Sequence, residues 1–106
     1  MGRLLRKLER THAIPPPRPE VTVEGGRYRL DYAWPDVGLA AEVDGYVWHS
    51  TAEQLRHDHE RRNRLVVDWT LLIFTWVQVV HESDQVLDRI AATYRHLARR
   101  GRLPTG

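Results

Sequence analysis

Residues 29–44, with the sequence RLDYAWPDVGLAAEVD, contain the clearest structural pattern in the chain. Pro35-Asp36 favours a tight turn, and the segments on both sides of it alternate between apolar and polar residues, which predicts two antiparallel strands. Pairing Trp34 with Leu39 separates the two kinds of side chain almost completely onto opposite faces. The predicted apolar face holds Tyr28, Leu30, Tyr32, Trp34, Leu39, Ala41 and Val43. The predicted polar face holds Arg27, Arg29, Asp31, Ala33, Ala40, Glu42 and Asp44.

The segment before this hairpin supplies a helix, a connector and another strand. Proline removes an amide donor and clashes with the preceding turn, so the Pro-rich residues 12–19 must end the helix that is predicted over residues 2–11. A strand around residues 20–24 follows. Gly25-Gly26, a good two-residue turn, then leads into the hairpin.

The segment after the hairpin predicts a helix and a further strand. Ser50 or Thr51 is expected to cap a helix that runs to about Val66, because a Glu-Gln pair lies at capping-box distance. Residues 69–75 form a nearly continuous apolar run with β-branched and aromatic members, which predicts a strand buried on both faces. Residues 76–82 fit either an extension of that strand or a helical turn.

The last helix is predicted from Ser83 to just before Gly101, because its apolar residues recur at helical spacing. The resulting order, α-β-β-β-α-β-α, describes an α/β fold with a mixed sheet flanked by helices. The chain is expected to be a single domain over residues 1–106, with a helix over 2–11, a connector over 12–19, a core over 20–99 and a basic tail over 100–106.

Composition excludes several classes of protein. The chain has 106 residues, of which 42% are hydrophobic and 28% are charged, an ordinary globular composition. Cysteine is absent, which excludes a disulfide scaffold and thiolate metal sites. The lack of a long apolar run or a signal-peptide core predicts a cytoplasmic protein without a membrane partner.

The net charge of +2 hides a strong asymmetry along the chain. Residues 1–30 carry seven basic and three acidic side chains, and residues 89–106 carry five arginines and no acid. Residues 31–88 carry four arginines against eleven acids. Basic ends around an acidic middle are compatible with a polyanion held near a carboxylate cluster, and equally with solvated Arg-rich helix faces.

The acidic side chains of the hairpin suggest a cation site. In the predicted register Asp31 lies opposite Glu42, with Cβ atoms roughly 5 Å apart, and Asp44 follows on the same face. Like charges in that arrangement need a compensating charge, and Mg²⁺ fits best because it accepts carboxylate, water and phosphate oxygens. The alternative is a cross-strand ion pair between Arg29 and Asp44. His49 follows the third strand and has a side chain suited to proton transfer near neutral pH.

A family resemblance rests on Arg29-Leu30-Asp31-Tyr32-Ala33-Trp34-Pro35, Glu42-Val43-Asp44-Gly45 with His49, Asp58 with Arg62, and Phe74-Thr75-Trp76. From about residue 4 to residue 97, the chain resembles the small nuclease-like domains related to very-short-patch repair endonucleases. Those domains belong to the restriction-endonuclease-like PD-(D/E)xK superfamily. In relatives such a domain often forms the C-terminal part of a longer protein.

The resemblance implies a site as well as a fold. It implies that Asp31 and Glu42 hold a divalent ion together with the backbone carbonyl of Val43, and that His49 is the general-base candidate. Asp44 stands where the superfamily usually has lysine, and the chain's one lysine lies in the first helix. Ile73 stands where relatives commonly carry arginine.

The sequence therefore predicts a Mg²⁺-dependent endonuclease-like domain that hydrolyses DNA phosphodiester bonds. Its expected catalytic residues are Asp31, Glu42, Asp44 and His49, and its expected DNA-binding residues are Arg29, Arg56, Arg61 and Arg62, with the Arg-rich last helix. A nuclease fold that binds DNA without cutting it, and a regulatory or dimerisation domain, are the alternatives. A homodimer is one way for such a small domain to cut both strands.

Overall fold

The computed structural model describes residues 1–44 and 51–101. Its four strands are β1 (Arg18–Val23), β2 (Tyr28–Trp34), β3 (Leu39–Val43) and β4 (Thr70–Phe74). Its helices are α1 (Gly2–Leu5), α2 (Lys7–His12), α3 (Ala52–Leu65), α4 (Trp76–His81) and α5 (Ser83–Gly101). The predicted α/β class, with a mixed sheet flanked by helices, is confirmed.

The strands form one sheet in the order β1-β2-β3-β4. The pairs β1–β2 and β2–β3 are antiparallel, and β4 joins β3 in parallel after the α3 connection. The predicted register of the hairpin is confirmed, because Trp34 pairs with Leu39 and the ladder continues to Tyr32 and Ala41.

The predicted division of the hairpin into two faces is wrong at its far end. Tyr28 and Leu30 pack with Ala33 and the α3 side of the sheet, whereas Tyr32 packs on the opposite side. Strict alternation fails between Leu30 and Tyr32 because β1 is irregular there: Glu20, which faces Asp31, has a left-handed φ of 52°. The even-numbered residues of β2 therefore point to the α3 side of the sheet before Asp31 and to the opposite side after it, which is a change of phase in the pleat.

Several predicted boundaries also move. The first helix is divided in two at Arg6, β1 starts within the predicted connector, and Glu24–Gly26 form a 3-10 turn in place of the two-residue turn. α4 resolves the ambiguous segment as a helix, which Thr75 caps. α5 includes Gly101, so the predicted basic tail begins inside the helix, and residues 102–106 lie outside the described residues.

Two apolar clusters hold the helices on the sheet. The larger one joins α1, α2, α4 and α5 to one face through twelve buried residues, among them Trp34 and Ile90. The smaller one lies under α3 and contains four, of which Leu65 comes from the helix. β4 contacts both clusters, through Leu72 and Phe74 on one face and Leu71 on the other, and Ile73, which is 37% exposed, is the exception to the predicted burial of both faces. No helix within the described ranges has both the length and the apolar character that a membrane crossing requires.

Candidate active site

Asp31 and Glu42 come together where β2 and β3 separate. The paired ladder ends at Tyr32 and Ala41, and Asp31 and Glu42 are the next residues in that register. The Val43 amide donates to Asp31 Oδ2 over 3.4 Å, a long hydrogen bond. The Asp31 carboxylate therefore lies beside the backbone that follows Glu42.

Glu42 is a buried charged residue, 8% exposed, and it is paired with Arg61 of α3. Arg61 Nη1 donates to Glu42 Oε1 over 3.1 Å, and Nη2 donates to Oε2 over 2.5 Å. Nη2 also donates to the Arg29 carbonyl over 3.0 Å. A bidentate contact of this kind is among the stronger charged hydrogen bonds in proteins.

The surroundings of Arg61 favour its charged form. Its hydrogen bond to Glu42 raises the pKa of Arg61 above the ordinary value, although burial acts in the opposite direction. The negative charges of Asp31 and Asp58 also raise it. Arg61 was predicted to contact phosphate, and here it neutralises a predicted metal ligand.

A pocket of about 140 Å³ opens beside this pair. It is lined by Glu42, Val43, Asp44, Asp58, Arg61, Arg62 and Ile73. The β3 and β4 backbones fix one wall, because the Asp44 amide donates to the Phe74 carbonyl over 2.7 Å. Three carboxylates and two guanidinium groups face the same small volume, so the lining is net negative when all are ionised.

Asp58 lines the pocket with Arg62, its partner in the family motif, although the sequence did not place Asp58 among the catalytic, DNA-binding or metal residues. Positions 58, 61, 62 and 65 lie on one side of a helix, and Leu65 is the buried anchor of α3. Because Leu65 faces the sheet, residues three, four and seven positions before it turn toward the same side. That pattern adds Arg61 to the Asp58–Arg62 pair that the sequence indicated.

The other predicted residues are spread more widely. Arg29 is paired with Glu20 of β1 at 3.7 Å, and both side chains are largely exposed. An exposed pair at that distance contributes little stability, and it replaces the predicted alternative of an Arg29–Asp44 pair. Arg56 is exposed on α3 away from the pocket lining, and Arg62 is exposed within it.

His49 lies in residues 45–50, outside the described residues. Within the described parts of the chain, no group of three or more His, Asp or Glu side chains is arranged to hold a metal ion. The predicted oxygen ligands among the described residues are the carboxylates of Asp31 and Glu42 and the Val43 backbone, and the Asp44 and Asp58 carboxylates also line the pocket. An all-oxygen set of one or two carboxylates fits Mg²⁺, which keeps several water ligands.

Comparisons with known proteins give relatives whose printed names carry no function. The chain is 33% identical over 92 residues to the uncharacterized proteins MT2308 and Rv2248 from two strains of Mycobacterium tuberculosis. The match covers 83% of this chain and 33% of each relative, so the chain spans about a third of the curated relatives it matches. No family model matches the chain, and no solved structure matches it significantly.

Proposed function

We propose that the chain is a nuclease-like domain, with a restriction-endonuclease-like core, that hydrolyses DNA phosphodiester bonds with the help of Mg²⁺. The observation that supports this most is the approach of Asp31 to the Glu42-Val43 backbone, where β2 and β3 separate beside a small charged pocket. The antiparallel meander of β1, β2 and β3, followed by α3 and the parallel strand β4, also supports the proposal of a nuclease-like core.

In this proposal Asp31, Glu42 and the Val43 carbonyl hold the divalent ion. When bound, such an ion polarises a phosphoryl oxygen and activates water for attack on phosphorus. Asp44 lies at the pocket, where its exposed carboxylate can accept hydrogen bonds from water. His49 remains the general-base candidate of the sequence.

Arginine supplies the expected contact with the DNA backbone. Arg62 lines the pocket and is exposed, so its guanidinium can meet a phosphate there. Arg56 lies on the exposed side of the same helix. Binding through such groups should weaken steeply with salt, since each phosphate contact releases counterions.

Cleavage of plasmid and single-stranded DNA, with and without Mg²⁺, tests the proposal. Asp31→Asn and Glu42→Gln should each lower the rate by about 100-fold or more, because even indirect supports of a bound metal typically matter 10- to 100-fold. Asp68→Asn is the matched control, because Asp68 is an exposed acid outside the pocket lining. Equal activity in all three variants and the parent would contradict the assignment.

A second candidate is a DNA-binding module that keeps this fold without the chemistry. Three observations favour it: Glu42 is already neutralised by Arg61, Ile73 lines the pocket, and Lys7 lies on α2 rather than at the site. It predicts salt-dependent DNA binding that is the same with Mg²⁺ and with a chelator. Binding that strengthens with Mg²⁺ and depends on Asp31 would exclude it.

A further inference from the structure

The Arg61–Glu42 contact has a direct consequence for ion binding. The Glu42 carboxylate is both a proposed metal ligand and the acceptor of two guanidinium hydrogen bonds. The side chain of Glu42 is 11% exposed and that of Arg61 is 24% exposed, so the pair is largely shielded from water. Charges interact more strongly in such a place than at an open surface.

A divalent ion and the Arg61 guanidinium cannot both bind the Glu42 carboxylate without repelling each other. The planar Arg61 fork faces both carboxylate oxygens, and a second cation at those oxygens would be repelled across a few ångströms. The Arg29 carbonyl, however, gives Arg61 an acceptor that does not depend on Glu42. The guanidinium can therefore leave the carboxylate without losing every partner.

We propose that Arg61 is the internal counter-cation of Glu42, and that a divalent ion binds at Asp31 and Glu42 in competition with it. This inference rests on the proposed metal site and adds its regulation. Without the ion, Arg61 keeps a buried carboxylate neutralised and holds α3 on the sheet. With the ion, Glu42 exchanges one cation for another, and Arg61 is released toward the pocket that it shares with Arg62.

A purely structural role for Arg61 predicts a different result. If Arg61 only attaches α3, or only aims Glu42 at the ion, its removal should leave the ion affinity unchanged or weaken it. Competition predicts that removal strengthens ion binding. The sign of the change in affinity therefore separates the two roles, and it needs no measurement of catalysis.

The experiment is calorimetric titration of the full chain with Mn²⁺, together with its thermal unfolding at each Mn²⁺ concentration. Arg61→Gln should bind Mn²⁺ about tenfold more tightly than the parent, a coupling of ordinary size between two ligands of one site. Arg61→Lys should fall between them, because an ammonium group cannot donate to both carboxylate oxygens in the same fork geometry. Mn²⁺ should also raise the melting temperature most in Arg61→Gln.

Arg62→Gln is the matched control, because it removes the same charge from the same pocket without removing a hydrogen bond to Glu42. Its Mn²⁺ affinity should change much less than that of Arg61→Gln. Adding Asp31→Asn to each variant should abolish the binding, which places the ion at the site.

The outcomes separate the two proposals. Unchanged or weaker Mn²⁺ binding in folded Arg61→Gln overturns the competition and leaves the metal site standing. The absence of Asp31-dependent binding in every variant overturns the metal site, and the competition with it. Should Arg61→Gln fail to fold, Arg61→Lys decides, because an affinity no higher than the parent's contradicts competition.

Discussion

The two faces of the sheet are built differently. On one face, helices α1, α2, α4 and α5 cover a cluster of twelve buried residues, all of which are hydrophobic. The other is covered by α3 over four buried residues, next to the buried charge of Glu42. Burial of apolar surface is the main stabilising term in folding, so the first face supplies most of the stability. The second face has fewer apolar contacts to lose when charges rearrange.

Helix composition explains the contrast. α5 buries Val86, Leu87, Ile90 and Ala91, whereas α3 buries only Leu65 of its fourteen residues. Among the described residues, α3 is attached to the sheet by the buried Leu65 and by the hydrogen bonds that Arg61 donates to Glu42 and to the Arg29 carbonyl. A helix attached in this way can tolerate the exchange of an ion pair for a bound cation more easily than α5 could.

The largest expected effect tests the apolar face. Ile90→Ala should lower the free energy of unfolding by roughly 4 kcal/mol, because it leaves a cavity in a fully buried cluster. Urea unfolding followed by circular dichroism measures the loss. The exposed neighbour Arg89→Ala is the control and should change stability by less than about 0.5 kcal/mol. A loss at Ile90 no larger than at Leu65 would remove the contrast between the faces.

A smaller loss is expected under α3. Leu65→Ala should lower the free energy of unfolding by about 2–3 kcal/mol, since the smaller cluster can relax around the cavity. Leu55→Ala on the same helix is the control, because Leu55 is 45% exposed. We expect Leu65→Ala also to weaken Mn²⁺ binding, because α3 carries part of the pocket lining. If both leucine variants lose the same stability, Leu65 is not the anchor of α3.

Local patterns in the sequence were enough to predict the register of the hairpin and the place where α3 begins. Turn chemistry and alternation predicted the pairing of Trp34 with Leu39, and the capping box narrowed the cap of α3 to Ser50 or Thr51, of which the structure has Thr51. Both are short-range features, in which the interacting residues lie a few positions apart. The paired register ends at Tyr32 and Ala41, and beyond it the contact of Asp31 with β3 is the hydrogen bond from the Val43 amide.

The features that were missed depend on distant residues. The phase change at Asp31 comes with the left-handed Glu20 on the neighbouring strand, and no pattern within β2 reveals it. Ile73 is 37% exposed and lines the pocket beside α3, so its exposure depends on how α3 lies on the sheet. The Arg61–Glu42 pair joins residues nineteen positions apart through the orientation of α3 on the sheet. Local patterns in the sequence do not reveal that orientation.

The smallest expected change in stability comes from removing either of two capping boxes that have almost identical geometry. Gln54 N donates to Thr51 Oγ1 at the start of α3, and Gln78 N donates to Thr75 Oγ1 at the start of α4, both over 3.1 Å. Thr51→Ala and Thr75→Ala should each lower the free energy of unfolding by about 1 kcal/mol, because an amide at the helix start loses its acceptor.

The two substitutions should differ in their effects on local hydrogen exchange. Hydrogen exchange should accelerate through α3 in Thr51→Ala, since few apolar contacts oppose its local opening. In Thr75→Ala the change should stay within the first turn of α4, whose Val79 is packed in the larger cluster. Equal acceleration throughout both helices would mean that α3 is no more loosely attached than α4, and that the proposed exchange of Arg61 for an ion needs another source of mobility.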